Sequence, residues 1–275
     1  GFLPVRMFPE MLRITAQRRR GGRPGTLSGL QALIISTATR VGTGNMVGVV
    51  AAISTGGPGA VFWMWITALI GSSTAYVEAT LAQQHKEEDP LYGGYRGGPA
   101  QYIHAFFSKD KQKKHQILAV LFALSGLLCW CGVSQVISNS VSSAFAYAFN
   151  TPPIVSTLIL VVLGALVVLR KNATVKVLDI LVPIMAAFYF LIAIFVIVTN
   201  ASLLPAMLER IVEEAFGLRQ MAAGGFGAAL MNGVKRGLFS NEAGSGSAPC
   251  AAAAADVSHP AKAGLFQAFG VFIDT

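Results

Sequence analysis

Two runs of small and polar residues interrupt otherwise apolar stretches of this chain. They are Arg40-Val41-Gly42-Thr43-Gly44-Asn45-Met46-Val47-Gly48 and Lys235-Arg236-Gly237-Leu238-Phe239-Ser240-Asn241-Glu242-Ala243-Gly244-Ser245-Gly246-Ser247. Glycine weakens a helix interior by about 1 kcal/mol relative to alanine, so each run is a place where a helix can break. A break frees backbone carbonyls on one side and presents backbone N–H groups on the other. Such a pair can hold a cation and a carboxylate without covalent chemistry. Taken alone, either run also fits close helix packing through small residues. Asn and hydroxyl side chains at both runs favour a binding site.

The elements that carry these runs are apolar. The 275 residues are 53% hydrophobic and 12% charged, with a mean hydropathy of +0.58; a soluble domain carries about 25% charged residues. Apolar blocks near 27–53, 60–83, 116–149, 154–169, 175–198 and 221–255, and the start of a seventh from 263, approach the roughly 20 residues of a membrane-crossing helix. Residues 1–25 form a basic flank, with Arg6, Arg13, Arg18, Arg19, Arg20 and Arg23 against Glu10. Residues 26–275 are read as a partial transmembrane domain, all-α and polytopic. The basic loops 85–115 and 170–176, with the N-terminal flank, are expected on the cytoplasmic side, and the uncharged and acidic loops between them opposite. The chain opens on Gly1 and stops at Thr275 within an apolar stretch, so a truncated bundle is expected.

The same residues exclude other classes. The net charge of +8 lies in loops and the N-terminal flank without interleaved aromatics, which argues against nucleic acid. Cys129, Cys131 and Cys250 have neither disulfide nor metal spacing and are expected to be buried apolar residues. All four histidines fall in predicted loops, leaving an intramembrane enzyme no histidine. Gly42-x-Gly44 with Gly48 has the wrong spacing for a dinucleotide loop, and Gly244-Ser245-Gly246-Ser247 is not a hydrolase elbow. Arg40, Glu78, Lys235, Arg236 and Glu242 lie in or near apolar spans, where a lipid-facing charge costs at least ~2.5 kcal/mol. Arg40 with Glu242 is the expected pair. Gln135 either faces the site or bonds a neighbouring helix, and it is carried as a candidate.

Interruptions at corresponding places five spans apart point to a carrier built from inverted repeats. Val41-Gly42-Thr43-Gly44-Asn45, Gly56-Gly57-Pro58-Gly59-Ala60-Val61-Phe62-Trp63-Met64-Trp65, Gly97-Gly98-Pro99 with Tyr102, Arg236 through Pro249, His259-Pro260 and Phe272-Ile273-Asp274-Thr275 resemble the alanine or glycine:cation symporter family. The resemblance covers nearly the whole chain from about residue 27. It implies membership of the amino acid/polyamine/organocation superfamily and a LeuT-type five-plus-five inverted repeat, truncated after the start of the second repeat. It also implies uptake of alanine or glycine with sodium as co-transported ion, without an organic cofactor, across a bacterial or archaeal plasma membrane. By that likeness Thr43, Gly44, Asn45, Phe239, Ser240 and Asn241 contact the amino acid, and carbonyls of Ala38 and Val41 face the sodium ion. A proton-coupled carrier on the same scaffold and an ion channel remain the alternatives.

Overall fold

Local signals set where the helices begin. The computed structural model describes residues 3–16, 27–40, 43–90, 93–108, 116–169, 173–217 and 225–275. Short helices α1 (Leu3–Arg6) and α2 (Phe8–Ala16) precede α3 (Gly29–Arg40) and α4 (Thr43–Gly56). A reciprocal cap opens α3: the Gln31 amide donates to Ser28 Oγ at 3.1 Å, and the Ser28 amide to Gln31 Oε1 at 2.9 Å. Val41 and Gly42, where the first interruption is expected, lie outside the described residues.

Next come α5 (Gly59–Gln84), a two-stranded pair β1 (Glu87–Glu88) and β2 (Tyr95–Arg96), and α6 (Pro99–Phe107). Helices α7 (Ile117–Phe149), α8 (Pro153–Leu169) and α9 (Ala173–Thr199) follow. The Gln116 side chain caps α7 by accepting from the Leu118 and Ala119 amides, and Asn150, at φ +51°, ends it. After a 3₁₀ turn come α10 (Leu204–Ala215), α11 (Gly225–Asn241), α12 (Ser247–Ala254) and α13 (Pro260–Asp274).

Helix α5 is the axis of the packed half. Small residues let its neighbours approach closely: a Cβ on Gly233 of α11 would lie 2.5 Å from both Ala60 O and Trp63 Cβ, and one on Gly264 of α13 would lie 2.8 Å from Tyr76 O. Ala68, Ala75 and Val271 join α5 to α13, while Ala79, Ala252 and Ala263 bring in α12. A bulkier cluster of Met11, Ile14, Leu33, Leu265, Phe266 and Ala268 seats α2 on α3 and α13. The N-terminal flank, read from sequence only as a basic segment, therefore contributes helix and core.

Helices α7, α8 and α9 turn Leu, Val, Ile and Phe side chains outward, as an integral membrane protein requires. Among the described residues, α5 and α7 are each long and apolar enough to cross a membrane; Pro183–Thr199 and Ala201–Ala215, bent by 72°, meet the criterion as a pair. Asn45–Gly56 and Pro153–Leu166 are shorter apolar helices. Cys129 and Cys131, expected to be buried, are exposed because α7 faces outward, and Cys250 is exposed as well.

Candidate functional site

The second interruption is present. Helix α11 ends at Asn241 and α12 starts at Ser247, and between them Glu242, Gly244 and Gly246 take φ of +48°, +92° and +97°. Glycine holds this conformation without penalty, whereas Glu242 sits where a Cβ is costly. Local hydrogen bonds hold the turn: the Ala243 amide donates to Asn241 Oδ1 at 3.0 Å, and Ser247 Oγ donates to Glu242 Oε2 at 2.7 Å. Asn241, fully buried, also donates through Nδ2 to Thr67 O of α5 at 3.4 Å.

Glu78 of α5 lies beneath this turn, its Oε1 3.7 Å from the position a Cβ on Gly244 would take. Neither Glu78 carboxylate oxygen has a hydrogen-bond partner within 3.5 Å. The buried carboxylate thus faces the non-helical backbone at Gly244.

A cavity of about 360 Å³ opens between the start of α4 and the end of α11. Thr37, Asn45, Met46 and Val49 line it from the first helix pair, and Val61, Met64 and Trp65 from α5. Helix α9 adds Met185, Ala186, Tyr189 and Phe190; Ser240, Ile273, Asp274 and Thr275 complete the wall. Asn45 Nδ2 donates to the Asp274 carbonyl at 2.5 Å and to Asp274 Oδ1 at 3.0 Å, so α4 and the end of α13 are tied at the cavity. Among the described residues, Ser240 Oγ, Asp274 Oδ2 and Thr275 Oγ1 are buried without a hydrogen-bond partner. Unpaired buried oxygens are costly unless something else satisfies them. Their three residues all line the cavity, and hydroxyl and carboxylate oxygens are ligands of the hard type that cations such as calcium and magnesium take.

The structure brings Asn45 and Ser240 together at this cavity. Thr43 and Gly44 begin α4 beside it, and Ala38 belongs to α3, but their side chains, like Val41 as a whole, lie outside the described residues. Asn241 points instead into the α5 contact, Phe239 is 43% exposed, and neither lines the cavity. Gln135 is exposed on α7, which packs on α6 and α8, and the structure does not bring it to the cavity. Asp274 and Thr275 were not among the sequence candidates. Their signal was an acid next to a hydroxyl at the end of an apolar run.

The expected Arg40–Glu242 pair does not form within 4.0 Å. Arg40, 3% exposed, donates to Gln267 O at 3.4 Å and to Gln267 Oε1 at 3.3 Å, while Glu242 takes its bond from Ser247. The turn after Asn241 directs Glu242 to Ser247, five residues further on, and Gln267 of α13 takes Arg40 instead.

Comparison with known proteins covers the whole chain. Residues 1–275 match the profile of the sodium:alanine symporter family. The probable sodium/glutamine symporter GlnT of Bacillus subtilis is 47% identical over 275 residues, covering 100% of this chain and 56% of that protein. The amino-acid carrier protein AlsT of the same organism is 44% identical over 277 residues, covering 100% of this chain and 57% of AlsT. The sodium/alanine symporter AgcS of Methanococcus maripaludis is 37% identical over 278 residues, with 100% and 61% covered. The chain thus spans a little over half the length of these relatives.

Proposed function

The chain belongs to the sodium:alanine symporter family, a family of symporters and not of enzymes, and from that premise we propose that the whole protein carries a small neutral amino acid, alanine or glycine, together with sodium by alternating access. The observation that carries this reading is the cavity shared by Asn45, Ser240 and Asp274 at the junction of α4 with the break after α11. A zwitterionic amino acid sets its carboxylate at the amino-terminal end of α4, near Thr43, Gly44 and Asn45, where the helix dipole favours negative charge. Sodium, as cargo, takes oxygens from Ser240, Asp274 and Thr275 together with backbone carbonyls near Ala38 and Val41. The apolar wall of Met46, Met64, Trp65 and Tyr189 receives a small side chain.

This reading places the packed helices within a LeuT-type five-plus-five repeat whose remaining helices lie in the part of the relatives that this chain does not cover. Helix α11 packs on α4 and α12 on α3, so the two interrupted runs lie side by side, which supports that reading. Asn241 and Phe239 then act on the geometry of the turn, and Gln135 approaches the site only from a differently packed α7.

A larger substrate is the second reading, favoured by the 47% identity to GlnT, a probable sodium/glutamine symporter. The test is uptake of radiolabelled alanine, glycine and glutamine into proteoliposomes holding the full-length protein, under an imposed sodium gradient and then a proton gradient. Sodium-driven alanine or glycine uptake that Asn45→Ala abolishes supports the proposal. Uptake driven only by protons replaces the coupling ion, uptake of glutamine alone replaces the substrate, and flux without saturation would indicate a channel.

A further inference from the structure

The N-terminal helices present two different faces. Pro4 is buried on α1, Met11 and Ile14 are buried against α3 and α13, and the Phe8 ring meets the Phe269 and Phe272 rings at 6.1 and 5.6 Å. On the other side Val5 and Leu12 are 56% and 48% exposed, and Arg6 and Arg13 are exposed beside them. The only acid in residues 1–25 is Glu10, which sits 3.5 Å from the Arg13 guanidinium with both side chains open to solvent. The sequence continues with Arg18, Arg19, Arg20 and Arg23 and no further acid.

Exposed apolar residues beside arginines, Val5 with Arg6 on α1 and Leu12 with Arg13 on α2, are the pattern of a segment lying in the plane of a bilayer surface. The outward apolar side chains of α7 to α9 already require lipid around this protein. We propose that α1 and α2 dock on the anionic headgroups of that bilayer, Val5 and Leu12 entering the acyl boundary while Arg6 and Arg13 meet phosphate. Because Met11 and Ile14 pack on Leu33 of α3, a docked α2 also fixes the end of the helix pair that carries the cavity. The inference needs no transported substrate and stands apart from the proposed function.

The test is hydrogen exchange of the full-length protein in nanodiscs of phosphatidylcholine alone and of phosphatidylcholine with phosphatidylglycerol. An arginine at an anionic surface strengthens docking about fivefold, so Arg6 and Arg13 together raise amide protection across α2 roughly 30-fold in the anionic discs. Arg6→Gln with Arg13→Gln removes that gain while leaving α5 and α13 protection unchanged, and high salt does the same in the unaltered protein. Equal protection in both lipids overturns the proposal and leaves α2 held by α13 alone. A gain in anionic lipid that survives both arginine substitutions overturns it too. So does protection that appears only when a soluble protein partner is added.

Discussion

Removing the Asn45 side chain is the sharpest perturbation of the cavity wall. Its amide gives one bond to the Asp274 carbonyl at 2.5 Å and one to Asp274 Oδ1 at 3.0 Å. A neutral hydrogen bond contributes about 1 kcal/mol and one to a charged acceptor about 1.5–3 kcal/mol. Asn45→Ala therefore costs about 2.5–4 kcal/mol of stability, since Asp274, only 7% exposed, cannot recover the loss from water. Asp274→Ala removes the Oδ1 bond and leaves the carbonyl bond in place. The double-mutant cycle then isolates the side-chain pair at about 1.5–3 kcal/mol, read from denaturant unfolding of the full-length protein in detergent. A coupling below about 0.5 kcal/mol, the additive limit for independent sites, would refute a direct bond across the α4–α13 junction.

Helix spacing offers a paired test: Gly264→Ala, whose Cβ would lie 2.8 Å from Tyr76 O and clash with Thr80 Oγ1, is expected to destabilise by about 1–3 kcal/mol. Gly132→Ala on α7, with nothing within 4 Å, is expected to stabilise by up to about 1 kcal/mol, and the same unfolding assay compares them. Gln83 donates to the carbonyls of Ala252 and Ala255, the latter at 2.7 Å. Gln83→Leu removes both of these bonds, leaving Ala255 O to Lys86 Nζ and Ala252 O to the Ala255 amide, and is expected to cost about 1–3 kcal/mol, with faster amide exchange confined to residues near 27–36 and 247–256; a uniform rise would contradict it. Burial pushes the Tyr102 phenol, in the loop helix α6, up to about 12. The raised value means the folded state holds its proton more tightly, so this contribution is intact below pH 10 and is lost as pH rises toward 12. Ultraviolet titration should find Tyr102 still neutral at pH 11, and ionisation near pH 10 would refute its burial.

Much of this site could be read from local chemistry. Glycines flanking Ser245, and Asn241 before them, marked the break after α11, because a positive φ leaves its signature in residue type. Asn45 and Ser240 were named through the family resemblance, and the structure places both at the cavity. What the sequence hid were the partners themselves. Asn45 meets Asp274, Arg40 meets Gln267, and Asn241 meets Thr67, all across more than 170 positions. Opposite charge alone suggested Glu242 for Arg40, yet the direction of a turn and the reach of α13 decided otherwise. The basic N-terminal flank likewise concealed Met11 and Ile14, whose burial depends on a groove made by residues 33 and 265–268.

The arrangement of bonds divides the packed half into a tied end and a more open one. At one end the Leu27 amide donates to Ala254 O at 3.3 Å and the Asp256 amide to Leu27 O at 2.8 Å, with Gln83 and Lys86 bonding the Ala255 carbonyl. The start of α3 and the end of α12 are thereby fastened to the end of α5. At the cavity, Asn45 holds Asp274, while Ser240 Oγ, Asp274 Oδ2 and Thr275 Oγ1 have no hydrogen-bond partner among the described residues. If sodium binds here as proposed, its binding energy acts on residues 240, 274 and 275. Ligand-linked movement should therefore appear first at residues 45, 240 and 274, and last at the Leu27–Ala255 tie.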